Sequence, residues 1–215
     1  MNIFYRFCTT IVFAATIAVS TNAIAADVLC NPSSAPLLEH AKTERAQKQY
    51  GPAMADVESV LKTEPHNLRA IYARGLIELD SSGSKSGATR GELWKEGMRD
   101  LRAVADGIDE ASKKNDTASV ACLKAQDVTT IMNTYAYYLT IEGNNGLAEI
   151  YFLKSVDLAQ RNLLNDDVKR KTYGNIGILY FRIGDYSKAK RYLALALKSG
   201  SKNPQIPIVL KAMQP

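Results

Sequence analysis

Two histidines, three cysteines and scattered carboxylates are the side chains of this 215-residue sequence that suit metal binding or nucleophilic catalysis. His40 and His66 stand in no metal-ligand spacing with a cysteine or with each other. His40 and Glu44 share one helix face at i, i+4, a geometry that holds a metal weakly and is far more often a solvated polar pair. No metal site is therefore expected. The glycines fall at helix crossings and turns, so they form no phosphate loop, nucleophile elbow or dinucleotide fingerprint. Ser81 to Gly91 is rich in Ser and Gly but lacks the strand and the Lys-Ser/Thr end of a phosphate loop, and it reads as a linker. The sequence offers no catalytic residue and no cofactor site, and a helical enzyme would need a pocket of convergent acids or a nucleophile.

The cysteines take their meaning from the N-terminus. Arg6 precedes an apolar run from Ile11 to Val19, and Ala23-Ile24-Ala25 supplies a small-x-small site, so residues 1–25 read as a secretory signal peptide cleaved after Ala25. The run is too short for a comfortable membrane span, and no stable membrane insertion is expected after cleavage. Neither Cys8 nor Cys30 follows a lipobox-like sequence. Cleavage lowers the formal charge from +5 to +4 and leaves Cys30 and Cys122. In a periplasmic or secreted protein these two are expected to pair, and a cross-link closing about 90 residues stabilises by about 4 to 5 kcal/mol in the chain-entropy model. The other reading makes Cys122 a buried small hydrophobe and Cys30 a thiol in the mature leader, residues 26–34. Basic residues are interspersed with acids along every segment, so a solvated surface is expected and nucleic acid is not.

The elements that must position any site are helices. Pro36 suits the first turn of a helix reaching about Gln49, and Tyr50 to Asn67 carries a second. A third follows Pro65 and ends near Asp80. The Ser81 to Gly91 linker then leads to a Thr89/Glu92 capping box opening a helix with Trp94, Gly97, Leu101 and Val104. Asp106 to Thr117 is polar and reads as a loop that can hold a helical turn. From about Thr117, Val120, Leu123, Val128, Ile131, Met132, Tyr135 and Leu139 trace an amphipathic segment up to the turn Gly143-Asn144-Asn145-Gly146. Asn165 offers an N-cap, Gly184-Asp185 hinges two more helices within Tyr173 to Leu197, and Pro204 starts a closing helix.

Tyr173, Ile176, Gly177, Tyr180, Gly184, Tyr186, Ala189, Leu193 and Ala196 follow one another in the order large, large, small, aromatic, turn glycine, aromatic, small, large, small. This order resembles the tetratricopeptide repeat. Ala136, Leu139, Gly143, Ala148 and Phe152 are in the same register, and Gly75 follows Ala41 by the family's 34-residue period. In the first repeat His40 and Glu44 stand where the family carries apolar or aromatic residues. The resemblance implies an all-α, right-handed superhelical solenoid of about four helix-turn-helix pairs, at about 35–65, 68–106, 117–163 and 167–200, with a closing helix at 204–213.

In that family the first helix of each pair lines a concave groove, at positions one or five after the core positions. Carried over, this places Lys42, Arg69, Tyr72, Asn133, Tyr137, Lys171, Asn175, Ile178 and Arg182 on the groove wall. The resemblance thus implies an exported, non-catalytic scaffold binding a protein or extended peptide. An accessory assembly subunit of an envelope secretion or polysaccharide machine is the alternative, and a helical enzyme comes third.

Overall fold

The computed structural model describes residues 32–114, 120 and 123–214. The signal-peptide segment, Cys30 and Cys122 lie outside the described residues. Those residues form nine α-helices and no strand: α1 Ala35–Ala46, α2 Tyr50–Thr63, α3 Leu68–Ser82, α4 Gly87–Lys113, α5 Ala125–Ile141, α6 Asn145–Gln160, α7 Asp166–Arg182, α8 Tyr186–Lys198 and α9 Gln205–Ala212. A short 3-10 turn, Pro32–Ser34, leads into α1.

Consecutive helices pack as antiparallel-type pairs, α1 on α2, α3 on α4, α5 on α6 and α7 on α8, and each pair then packs on the next. This is the helical-repeat solenoid that the sequence leads one to expect. Side-chain caps fix where several helices start. Asn67 accepts from the Arg69 and Ala70 N–H groups, Asn144 from Leu147, Asn165 from Val168 and Asp185 from Lys188, each satisfying a donor that the first turn leaves open. Between α7 and α8 the turn closes through Gly184 at φ +83°, a left-handed conformation that glycine adopts without steric cost.

The core is in two parts. A large cluster runs from Leu68 through Leu101, Tyr135, Phe152, Tyr180 and Leu193 to Met213. A small one joins α1, α2 and α3 through Ala41, Ala53, Val57, Val60, Ala70 and Ile77. α9 lays Ile206 and Val209 against α7 and α8, covering the last apolar face. No described helix is long and apolar enough to cross a membrane.

Several local expectations are corrected. α1 stops at Ala46 rather than near Gln49, because the chain turns through Lys48 at φ +62°. The Ser81 to Gly91 linker shrinks to Gly83–Ser86: Ser81 and Ser82 are buried and donate back to the Glu78 and Leu79 carbonyls, finishing α3. α4 then begins at Gly87, so Thr89 and Glu92 are exposed helical residues and not a cap. Asp106 to Lys113 is helical as well, anchored by buried Ile108 and Ala111, which makes α4 27 residues long and about 40 Å from end to end. α5 starts at Ala125 instead of about Thr117, where the Lys124 N–H donates to Asp127 three residues on. In the C-terminal repeat, Ile183, Tyr186 and Leu197 fall in the apolar pattern yet stay exposed.

Candidate functional site

The first helices α1, α3, α5 and α7 form one wall of the solenoid. α1 packs beside α3, and α5 beside α7. α3 and α5 are joined by the Tyr72 hydroxyl, 2.9 Å from the Thr134 hydroxyl, and by the Tyr138 hydroxyl donating to Asp80 at 3.4 Å. Around these struts the wall opens into three adjoining cavities.

The first, about 340 Å³, lies between α1, α3 and α5 and is lined by Lys42, Arg69 and Tyr72 together with apolar Leu38, Ala73 and Leu76. The second, about 550 Å³, shares Tyr72 and Leu76 and adds Asn133, Tyr137, Lys171 and Asn175. The third, about 240 Å³, shares Tyr137 and Asn175 and ends at Ile178 and Arg182. All nine residues named from sequence thus line one continuous groove.

Their chemical states differ. Lys42 is 2.9 Å from Glu39 and Lys171 2.8 Å from Asp167, so both cations are neutralised locally. The Lys171 ammonium, through its hydrogen bond, holds the Asp167 carboxyl below the usual range. Arg69 and Arg182, at opposite ends of the groove, have no ion-pair partner among the described residues. Burial pushes the Tyr72 phenol above its ordinary value, keeping it neutral and able to donate.

Asn133 is only 7% exposed; its amide Nδ2 donates to Thr172 at 2.8 Å, while its Oδ1 is buried with no donor. Such an orphaned acceptor is costly unless something fills it. Tyr137 is 48% exposed and packs edge-on against Tyr138, which in turn meets Trp94 edge-on. Trp94 is fixed by donating from Nε1 to Glu142 at 2.8 Å, so the aromatic rim is braced from the neighbouring pair.

The groove also holds residues that the one-or-five rule misses. Arg45, which pairs with Asp80 at 3.7 Å, is three positions after Lys42, and Thr130 and Thr134 lie within one turn of Asn133. Extending the rule to neighbours three positions either side would have found them: Arg45 follows Lys42 by three, and Thr130 and Thr134 precede Asn133 and Tyr137 by three. Asn203, in the segment before α9, and Gln205, the first residue of α9, line the third cavity and carry no repeat signal. Among the described residues no group of three metal-ligating side chains converges on the groove. What the wall offers is amide, hydroxyl, aromatic and guanidinium groups, suited to hydrogen bonding and stacking.

Residues 127–199, which cover α5 to α8 with the turns between them, match the family model of the tetratricopeptide repeat. No curated protein and no solved structure matches the chain. Tetratricopeptide repeats point to a protein-interaction scaffold.

Proposed function

We propose that the groove binds an extended segment of a partner protein and performs no chemistry on it, and that the protein does so after export. The observation that carries this reading is the continuity of the three cavities along α1, α3, α5 and α7. An extended chain presents a backbone donor or acceptor along its whole length. The Asn175 amide answers that need in the middle of the groove, Tyr137 supplies an aromatic face, and Arg69 and Arg182 attract acidic groups.

Export rests on the Arg6 to Ala25 sequence, with the mature chain starting at Ala26 and located in the periplasm or outside the cell. In that compartment Cys30 and Cys122 pair, tying the leader to the approach to α5. Mass spectrometry of the exported form reads both at once: an intact Arg6 removes the export proposal, and two free thiols remove the disulfide.

The binding proposal is tested by a photo-crosslinking residue placed at Ile178 in the groove or at exposed Ile150 on α6, outside the three cavities. One partner captured from Ile178 and not from Ile150 is expected. Equal capture from both positions counts against the groove. A captured partner that belongs to a multisubunit envelope complex would favour the assembly-subunit role over free peptide capture.

A further inference from the structure

Away from the groove, three metal-ligating side chains meet on the seam between α1 and α2. His40 Nδ1 lies 2.6 Å from Asp56 Oδ2 and 3.8 Å from Glu44 Oε2, and the three ligand atoms are all within 4.8 Å of one another. His40 and Glu44 sit one turn apart on α1, and Asp56 reaches them from α2. The His40–Glu44 pair, which sequence alone makes a solvated one, is instead turned against the neighbouring helix. The imidazole side chain is 63% exposed, whereas Glu44 retains only 13% of its exposure. Its Oε2 is buried with no hydrogen-bond donor.

We propose that this cluster is a divalent transition-metal site of the zinc class that staples α1 to α2. Zinc bonds of about 2.0 to 2.2 Å place neighbouring tetrahedral ligands about 3.3 Å apart. The His40–Glu44 separation is already close to that. The His40–Asp56 contact needs to open by less than about 1 Å, a movement open to an exposed imidazole. A proton on His40 serves Asp56 but leaves Glu44 Oε2 at 3.8 Å, beyond hydrogen-bond reach, whereas one cation at the centre engages all three. An imidazole among the ligands favours zinc-class ions over magnesium or calcium, which take oxygen ligands.

The small core of α1 and α2 explains what such a staple does. The fully buried side chains of this pair are small, Ala41, Ala53, Val57 and Val60, with Leu37, Leu38, Tyr50, Met54 and Leu61 only partly buried, and a metal bound by both helices adds a link that the unfolded chain lacks.

The test uses untagged, full-length mature protein with Cys30 and Cys122 disulfide-bonded or, where free, alkylated, so that no thiol takes up metal. Zinc titrated by calorimetry should bind with one equivalent, cobalt should give the intense visible absorption of a tetrahedral site, and zinc should raise the melting temperature. His40→Ala and Asp56→Asn should each weaken zinc at least about 10-fold, with unchanged far-ultraviolet circular dichroism showing that they fold. His66→Ala, which changes the other histidine, should bind like the parent. No uptake in excess zinc, or uptake that survives both His40→Ala and Asp56→Asn, overturns the proposal.

Discussion

Two helix pairs of this solenoid, α7–α8 and α3–α4, solve the same packing problem with different chemistry. In the C-terminal pair, α7 and α8 approach closely because Gly177 faces Leu193: a Cβ added at Gly177 would lie 2.6 Å from Leu193 Cδ2. The rest of that interface is apolar, with Tyr180 and Tyr192 stacked at 5.6 Å and Ala189, Leu193 and Ala196 fully buried. In the N-terminal half, α3 and α4 come closer still, backbone to backbone. A Cβ at Gly97 would lie 2.7 Å from the Gly75 carbonyl oxygen. Beside that crossing, however, sits a polar network: Arg74 donates through Nε and a terminal nitrogen to Asp100, and Glu78 is 5% exposed with one oxygen lacking a donor. Close crossing therefore depends on small residues, while the remainder of the interface can be filled by apolar or ion-paired side chains. The family match covers α5 to α8, where the filling is apolar and the size pattern is intact.

The largest effect expected from this comparison is at Gly177. Gly177→Leu has nowhere to put its side chain except into Leu193, and it should cost about 3 kcal/mol or more, read as a lower urea midpoint. An unchanged midpoint would mean that the helices separate freely there.

Glu78 gives the next largest effect, and it carries the opposite lesson for the N-terminal half. Burial, reinforced by Asp100, pushes its carboxyl from 4.5 up to about 7. The fold thus favours the protonated form, so its contribution is complete below pH 4.5 and is lost as pH rises through 7. Between pH 5 and 8 the parent should lose up to about 2 kcal/mol relative to Glu78→Gln, whose side chain stays neutral. Parallel pH profiles for the two proteins would show that Glu78 ionises normally.

In the groove, Tyr137→Ala and Arg182→Ala should each weaken partner binding by about 1 to 3 kcal/mol and leave the melting temperature unchanged, since neither side chain is in the core. Smallest of all is Gly174→Ala. An added Cβ there finds its nearest neighbour at an ordinary 3.8 Å, so helix propensity should raise stability by up to about 1 kcal/mol, one helical turn from the position where Leu is disastrous.

These contrasts also explain what was legible beforehand. Caps and turns are local, so Asn165, Asp185 and Gly184 could be placed from sequence, and the small residues at the α7–α8 crossing followed from their order. The groove residues came from the resemblance to the tetratricopeptide repeat, carried over residue by residue, and they line the three adjoining cavities. The length of α4 did not follow, because Gly87 and Gly91 look like a linker, and only burial of Ile108 and Ala111 against neighbouring helices carries the helix on to Lys113. The role of Asp56 was equally hidden, since its approach to His40 depends on how α2 lies against α1. Arg74, Glu78 and Asp100 looked like surface charges for the same reason: a period identifies a face, but the partner element decides whether that face is covered.

Binding of the crosslinked partner's segment should be measured by calorimetry for the parent and for a double variant carrying Tyr137→Ala and Arg182→Ala, with a thermal melt of each. Groove binding predicts at least about a tenfold loss of affinity at an unchanged melting temperature. Full affinity in a well-folded double variant would contradict it and place the partner on another face.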